Sequence, residues 1–247
     1  MAAVSLLETR DLRRSFGGLK AVDGVDLAIA EGEVRALIGP NGAGKTTLVG
    51  LVSGRITPTS GAIVLAGEDI TRLKAHERVA RGIVYTFQIT SIFRHLTCFD
   101  NVALAAQRRL TLGQPLWTEA PAEELRQAAM AALAKVGLDH HAGQMAGTLA
   151  YGHQRLLELA MGLALGPRLL VLDEPTQGLP EAEVAAFCRL IQDLRKEATV
   201  LLIEHNMGVV MQLADRITVM SSGRILAEGT PSEVRQNVAV QHAYLGT

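Results

Sequence analysis

The sequence predicts an α/β fold, a mixed sheet core around one helix with an α-helical subdomain, on three observations. The apolar run Val34-Arg35-Ala36-Leu37-Ile38 leads straight into a glycine-rich loop and then into an amphipathic run, Leu48, Val49, Leu51 and Val52. From Leu169 onward, short apolar runs alternate with helical stretches, the pattern of a parallel sheet covered by helices. Between these two parts, residues 89–166 are rich in Ala and Leu and poor in β-branched residues, which favours helices.

Taken in order, residues 4–38 read as strands: Val25, Leu27 and Ile29 alternate, and Glu31-Gly32 makes a turn before Val34. A helix starts near Lys45. After Ser60-Gly61, Ile63 to Leu65 is a short strand, and Ile83-Val84-Tyr85-Thr86-Phe87 is another that ends at Gln88. In the Ala- and Leu-rich segment, Leu125, Ala129, Ala132 and Val136 recur at helical spacing and read as core packing. Pro121 suits the first turn of that helix and Gly137 its stop. Leu169 to Leu172, the helix of Val184, Phe187, Ile191 and Leu194, then Thr199 to Ile203 and Ile217 to Met220 complete the alternation. No linker, low-complexity tract or repeat interrupts the chain, so 1–247 is expected to be one domain, with the sheet core at about 1–88 and 167–247 and the helical subdomain at about 89–166.

Composition narrows the function classes. With 247 residues, 48% of them hydrophobic, the chain can bury a large core, which excludes disorder. Lys plus Arg number 24 against 25 Asp plus Glu, so the net charge of −1 gives no electrostatic reason to expect nucleic acid. The two cysteines, Cys98 and Cys188, are far apart and in no metal-ligand spacing; they read as reduced thiols, with a disulfide as the alternative. Met1 to Glu8 carries neither a basic segment nor a long apolar one, and no charge-free window reaches about 18 apolar residues. No signal peptide or transmembrane segment is expected, and any membrane role is borrowed from a partner.

The loop Gly39-Pro40-Asn41-Gly42-Ala43-Gly44-Lys45-Thr46-Thr47 fits GxxxxGK followed by Thr, the form of a phosphate-binding loop. A chain that wraps phosphates must turn tightly and aim successive N–H groups inward, which glycine allows. Lys45 can then reach the β- and γ-phosphates, the Thr46 hydroxyl can ligate Mg²⁺, and the following helix points its positive end at the anion. Downstream, Leu169-Leu170-Val171-Leu172-Asp173-Glu174 ends a buried strand in two carboxylates, where they are costly unless a cation or ligand meets them. Asp173 is assigned to the metal, through water, and Glu174 to polarising the attacking water. A solvated pair that merely ends a strand before Pro175 is the bland alternative.

Together these residues resemble the ATP-binding subunits of ABC transporters, whose motifs run in the same order through almost the whole chain. Phe16, in Ser15-Phe16-Gly17-Gly18, matches the aromatic that stacks on adenine. Gln88 matches the glutamine that senses Mg²⁺ and the γ-phosphate, and His205, in Ile203-Glu204-His205-Asn206, matches the switch histidine. In isolation Phe16 would read as a core aromatic, Gln88 as a solvated strand end and His205 as a satisfied buried histidine. The family's signature LSGGQ stands here as Leu149-Ala150-Tyr151-Gly152-His153, followed by Gln154. The usual serine hydroxyl is missing at Ala150, which leaves backbone N–H groups near Gly152 at a helix start to bind the γ-phosphate held by another subunit. Pro180 stands where the family has Asp or Asn, and also suits the opening of the next helix.

Tyr151, the segments Pro58 to Gly61, Gly67 to Thr71 and Thr86 to Thr90 with Phe93, and the terminal His242-Ala243-Tyr244-Leu245-Gly246 resemble the branch that imports branched-chain and other hydrophobic amino acids. The resemblance implies ATP and Mg²⁺ as ligands and hydrolysis as the activity. It also implies two subunits paired head to tail, each ATP lying between the loop of one and Gly152 of the other. Permease subunits, and indirectly a substrate-binding protein, are the implied partners, with the chain on the cytoplasmic face of the membrane. The surface around Ile92-Phe93-Arg94-His95-Leu96 is expected to receive a permease helix, although Ile92 and Phe93 also suit a core. A soluble ABC ATPase, for example in cofactor assembly, is the rival of similar size. A GTPase or nucleotide kinase is disfavoured by the lack of an Asn-Lys-x-Asp motif and because the Leu149 to Gln154 segment would then have no purpose, and a silent regulator by the presence of Lys45, Asp173, Glu174 and His205.

Overall fold

Two long strands open the chain, β1 (Ser5–Phe16) and β2 (Leu19–Ala30), joined at Gly17-Gly18 into an antiparallel hairpin. They precede β3 (Val34–Ile38), α1 (Lys45–Val52), β4 (Ser60–Leu65), β5 (Glu68–Asp69), α2 (Ala75–Val79) and β6 (Ile83–Thr86). Three helices come next, α3 (Cys98–Leu110), α4 (Ala122–Lys135) and α5 (Tyr151–Ala164). The chain then runs through β7 (Leu169–Asp173), α6 (Glu181–Leu194), β8 (Thr199–Ile203), α7 (Met207–Leu213), β9 (Arg216–Ser221), β10 (Arg224–Gly229), α8 (Pro231–Gln236) and α9 (Val238–Leu245). This computed structural model describes residues 5–86, 91–115 and 117–245; Gln88, with Ile89 and Thr90, lies outside the described residues.

The strands form two sheets. One is antiparallel in the order β2-β1-β4-β5, the other runs β10-β9-β3-β8-β7-β6 and is parallel except for β10. Strands β3, β7 and β8 are buried along their full length, as continuous apolar runs covered on both faces should be. Helix α1 is where the sequence pattern misleads. Leu48, Val49, Leu51 and Val52 are all fully buried, because α1 lies between the sheets and packs against residues of both, including Leu12, Ile29, Leu37 and Leu201. It is enclosed rather than amphipathic. Helices α3, α4 and α5 pack on one another through Val102, Ala106, Ala129, Leu133 and Leu157, and this core is continuous with Leu170 and Leu172 of the sheet. Pro121 is the residue before α4, and Val136 with Gly137 ends it. Cys98 and Cys188 are both free and buried. Among the described residues no helix is long and apolar enough to cross a membrane.

Burying α1 takes the carbonyls of its last turn out of water; backbone N–H groups of Ser53, Ile56 and Gly54 meet those of Val49, Gly50 and Leu51, and one side chain serves the last two, Leu51 and Val52. Arg78 is 1% exposed and donates from Nη1 to the Leu51 and Val52 carbonyls at 2.6 and 2.9 Å. Its remaining donors reach the Leu73 and Thr71 carbonyls at 3.0 and 2.9 Å. A cation at a helix C-terminus also complements the helix dipole. Burial pushes the guanidinium down to about 10, with Asp69 opposing, so it stays charged at neutral pH. Replacing Arg78 with Met is expected to lower the unfolding free energy by about 3 kcal/mol, because the carbonyls it serves lose a donor while Leu51 alone keeps the Gly54 N–H. Urea denaturation of the two proteins, compared at constant m-value, checks this.

Candidate active site

In the six-stranded sheet Leu37 of β3 and Asp173 of β7 both pair with Ile203 of β8. The three strands therefore end at the same level, and the residues just beyond them emerge side by side at the carboxyl edge of the sheet, where open α/β sheets bind ligands. The glycine loop leaves the end of β3, Asp173-Glu174 ends β7, and Glu204-His205 leaves the end of β8. Strand β8 stands between the loop strand and the carboxylate strand.

The loop can take this path only because of its glycines. Gly39 has φ 151 and Gly44 φ 99, and a Cβ on either would run into a backbone carbonyl, of Met220 and Ala21 respectively. The Lys45 ammonium turns back onto the loop and donates to the Gly39 and Pro40 carbonyls at 2.6 and 3.0 Å. Burial pushes its pKa below the usual lysine value, while the carboxylates of Glu174 and Asp173 pull it back up. Thr46 is exposed and lines, with Asn41, Gly42, Ala43, Thr47, Glu174 and His205, a cleft of about 640 Å³.

The two adjacent carboxylates are held differently. Asp173 is buried and accepts a 2.5 Å hydrogen bond from the Tyr85 hydroxyl. Burial raises its pKa, Tyr85 opposes that rise, and the Glu174 charge adds to it. The Tyr85 ring carries the Arg55 guanidinium 3.7 Å from its centroid, a cation–π contact. Glu174 faces the cleft. Its backbone is in the left-handed region, φ 49, unusual for a residue with a Cβ, and its N–H donates to the Ile203 carbonyl at 2.9 Å. Its Oε1 lies 2.9 Å from Nε2 of His205, which is half exposed.

Glu204, next to His205, is 3% exposed, and its carboxylate gathers four donors. Oε1 accepts from the Thr176 N–H and hydroxyl at 3.0 and 2.5 Å, and Oε2 from the N–H groups of His205 and Asn206 at 3.0 and 3.1 Å. It thereby fixes the turn that carries His205 and joins it to the segment after Glu174. Sequence reasoning assigned Glu204, Tyr85 and Arg55 no role. Glu204 sits inside a recognised motif, which was a usable signal; nothing local marks Tyr85 or Arg55.

Phe16 is 45% exposed at the rim of the cleft, with the Arg14 guanidinium 4.4 Å from its centroid, which sets aside the core-aromatic alternative. The segment Leu149 to Gln154 is not part of this cleft. Gly152 and His153 instead line a separate hollow of about 270 Å³ with Leu179 and Glu183. Tyr151 and His153 are exposed, and Ala150 precedes α5 with no side-chain cap. Gln154 is buried and donates to the Leu149 carbonyl at 2.9 Å, so it shapes the segment instead of facing a ligand. Pro180 directly precedes α6.

A glycine loop between a buried strand and an enclosed helix, with Asp-Glu and a histidine meeting it at the same sheet edge, defines a P-loop nucleoside triphosphatase. Likeness to known proteins narrows the class. Residues 22–177 match the ABC transporter family, and residues 224–247 match a second family described as branched-chain amino acid ATP-binding cassette transporter. The chain is 43% identical to the high-affinity branched-chain amino acid transport ATP-binding protein BraF of Pseudomonas aeruginosa, over 98% of each chain. It is 42% identical to the corresponding protein LivG of Salmonella typhimurium, again over 98% of each. The crystal structure of the ADP conformation of MJ1267, an ATP-binding cassette of an ABC transporter, superposes with a TM-score of 0.86 at 29% identity, covering 98% of this chain and 99% of that one. The chain belongs to the ABC transporter family, as a nucleotide-binding subunit with ATPase activity.

Replacing Glu204 with Gln turns an acceptor into a group with donors of its own, facing four N–H or O–H groups. The expected result is a fall in kcat of about tenfold or more with nucleotide affinity nearly unchanged, since Glu204 touches the His205 turn and not the glycine loop. Steady-state ATPase assays combined with a nucleotide-binding titration check it.

Proposed function

We propose that this chain binds ATP with Mg²⁺ in the cleft at the end of β3 and hydrolyses it to drive uptake of branched-chain or other hydrophobic amino acids through a membrane permease. The observation that carries the hydrolytic part is the convergence, at one sheet edge, of the Gly39–Thr47 loop with the Glu174–His205 pair at 2.9 Å. The transport part rests on the likeness to BraF and LivG, which extends over 98% of the chain.

In this reading the N–H groups of the loop and of the start of α1 bind the phosphates, and Lys45 leaves the Gly39 and Pro40 carbonyls to reach the β- and γ-phosphates. Exposed Phe16 offers its open face to the adenine. The oxygen donors at hand, the Thr46 hydroxyl and the Asp173 carboxylate, suit a hard cation that keeps water and phosphate as its other ligands, as Mg²⁺ does. When bound, that ion would neutralise charge on the phosphates; Gln88 is the further residue proposed to contact it. Glu174 orients and polarises the attacking water, and His205 holds the Glu174 carboxylate in place and stabilises charge on the γ-phosphate. Leu149 to His153 serves a second subunit rather than this chain's own cleft, which fits its place outside that cleft and supports a dimer with two shared sites.

Work passes to the membrane through the surface around Phe93. That side chain is 55% exposed, on a loop that the buried Asn101 pins in place. Asn101 accepts from the Phe93 N–H at 2.8 Å and donates to the Phe93 and Thr97 carbonyls at 3.0 and 2.8 Å. An exposed aromatic on a rigid loop is suited to docking a partner helix. Ile92, by contrast, packs against the helical core.

Lys45→Ala is expected to abolish ATP hydrolysis, and Glu174→Gln to retain ATP binding while hydrolysis falls by at least about a hundredfold; unchanged turnover in either sinks that assignment. For the transport part, tagged Glu174→Gln chain is captured from solubilised native membranes with ATP and Mg²⁺. Multispanning permease subunits that handle amino acids are the expected companions; soluble partners alone, from protein shown to bind ATP, overturn it.

A further inference from the structure

Arg155 takes no part in the chemistry assigned to the cleft, yet it touches both the Tyr151 segment and the backbone of Glu174. On α5 it sits one turn beyond Tyr151, so the two side chains share a helix face. Its Nε and Nη2 donate to the Tyr151 hydroxyl at 3.0 and 2.6 Å, and the guanidinium carbon stands 5.0 Å from the Tyr151 ring centroid. The third arm, Nη1, donates at 2.9 Å to the main-chain carbonyl of Glu174, 19 residues further along the chain. That same carbonyl accepts from the Gln177 N–H at 3.2 Å, at the start of the turn leading to α6.

The peptide Arg155 holds is the one whose torsion matters. Glu174 has φ 49, a conformation that is costly for a residue with a Cβ and persists only where neighbours over-determine it. Its N–H is fixed by Ile203 and its carbonyl by Arg155 and Gln177, so the guanidinium is one of the contacts that set where the carboxylate points. Two further approaches bind the Tyr151 segment to the chain after Glu174, one at the turn and one at the start of α6. A Cβ on Gly178 would lie 3.6 Å from Tyr151 Cε1, and the space where a Cβ of Gly152 would stand is filled by the Glu183 carboxylate.

We infer that Arg155 is a positioning residue for hydrolysis: it holds the main-chain carbonyl of Glu174 and ties it to Tyr151, so that a displacement of the Leu149–His153 segment is passed to the water-orienting carboxylate of the same chain. A ligand pressing on the segment at Gly152 thereby changes the aim of Glu174 without touching it. A lysine is a poor replacement for this fork, because it offers one point charge on a flexible stem where the guanidinium sets three donors in fixed directions. The inference rests on the reading of Glu174 as the residue that orients water.

The test uses the full-length chain, with steady-state ATP hydrolysis, titration with a fluorescent ATP analogue, and thermal unfolding. Arg155→Met is expected to lower kcat about tenfold, with analogue affinity and melting temperature close to wild type. Tyr151→Phe, which keeps the ring and loses only the hydroxyl, is expected to lower kcat about threefold, and the double variant to be no slower than Arg155→Met, because both remove one link. Arg155→Lys is expected to recover less than half of the loss. Wild-type kcat in Arg155→Met, or losses in the single variants that multiply in the double, overturns the inference. Should Arg155→Met unfold more readily, Tyr151→Phe decides alone, and wild-type turnover in it overturns the link. Glu174→Gln runs alongside: if it hydrolyses ATP normally, the role of Glu174 is what fails, whereas an inactive Glu174→Gln beside a fully active Arg155→Met isolates the failure to Arg155.

Discussion

The rest of the structure depends on how tightly the phosphate loop is enclosed. Its backbone runs against the Met220 carbonyl at Gly39 and against the Ala21 carbonyl at Gly44, close enough that neither position tolerates a Cβ. The turn after β9 closes the enclosure: Gly223 donates to the Ala43 carbonyl at 3.0 Å, and its own carbonyl accepts from Asp23 at 2.8 Å. The loop is thus held by both sheets at once, by β2 and by the β9–β10 turn. A loop held this way presents its N–H groups without having to order them when an anion arrives, which is the physical content of a preorganised site.

Enclosure has a cost that runs through the fold. Placing α1 between two sheets removes its last-turn carbonyls from water, and Arg78 is a compensating group. Placing a charged residue in β3 raises the same problem, met by pairing Arg35 with Glu33 at 2.5 Å and with Glu228 at 3.0 Å. Both buried cations are matched by acceptors, as buried charge must be. The carboxylates at the site obey the same rule with different results. Asp173 is held by Tyr85 and Glu204 by four donors, which commits both to fixed positions. Glu174 is left facing the cleft, 17% exposed and paired with a half-exposed histidine, which suits the water-orienting role proposed for it.

The two surfaces proposed to meet other subunits are each held by hydrogen bonds or close packing. Asn101 fixes the Phe93 loop to α3, and the Tyr151 segment is braced on the turn between β7 and α6. A subunit that turns phosphate cleavage into movement needs such stiff connections, because a soft one would absorb the displacement.

Much of this was legible in the sequence wherever the chemistry is local. The glycine loop, the buried runs of β3, β7 and β8, and Asp173-Glu174 come from residue type and spacing alone, since a phosphate loop and a strand-end carboxylate pair are defined by neighbours in the chain. Phe16 and His205 were singled out by resemblance, and the structure supplies the exposure of the one and the pairing of the other with Glu174. What the sequence could not disclose is every contact made across long separations. Tyr85 and Asp173 are 88 residues apart, Arg78 and Leu51 are 27, and Arg155 meets Glu174 only through the packing of α5 against the sheet at β6. The same limit explains α1, whose apolar positions look like one face of a surface helix until a second sheet is placed over the other side. Residue type therefore determined which groups can take part in the chemistry, and tertiary packing alone decided which were buried, which were aimed, and which were tied together.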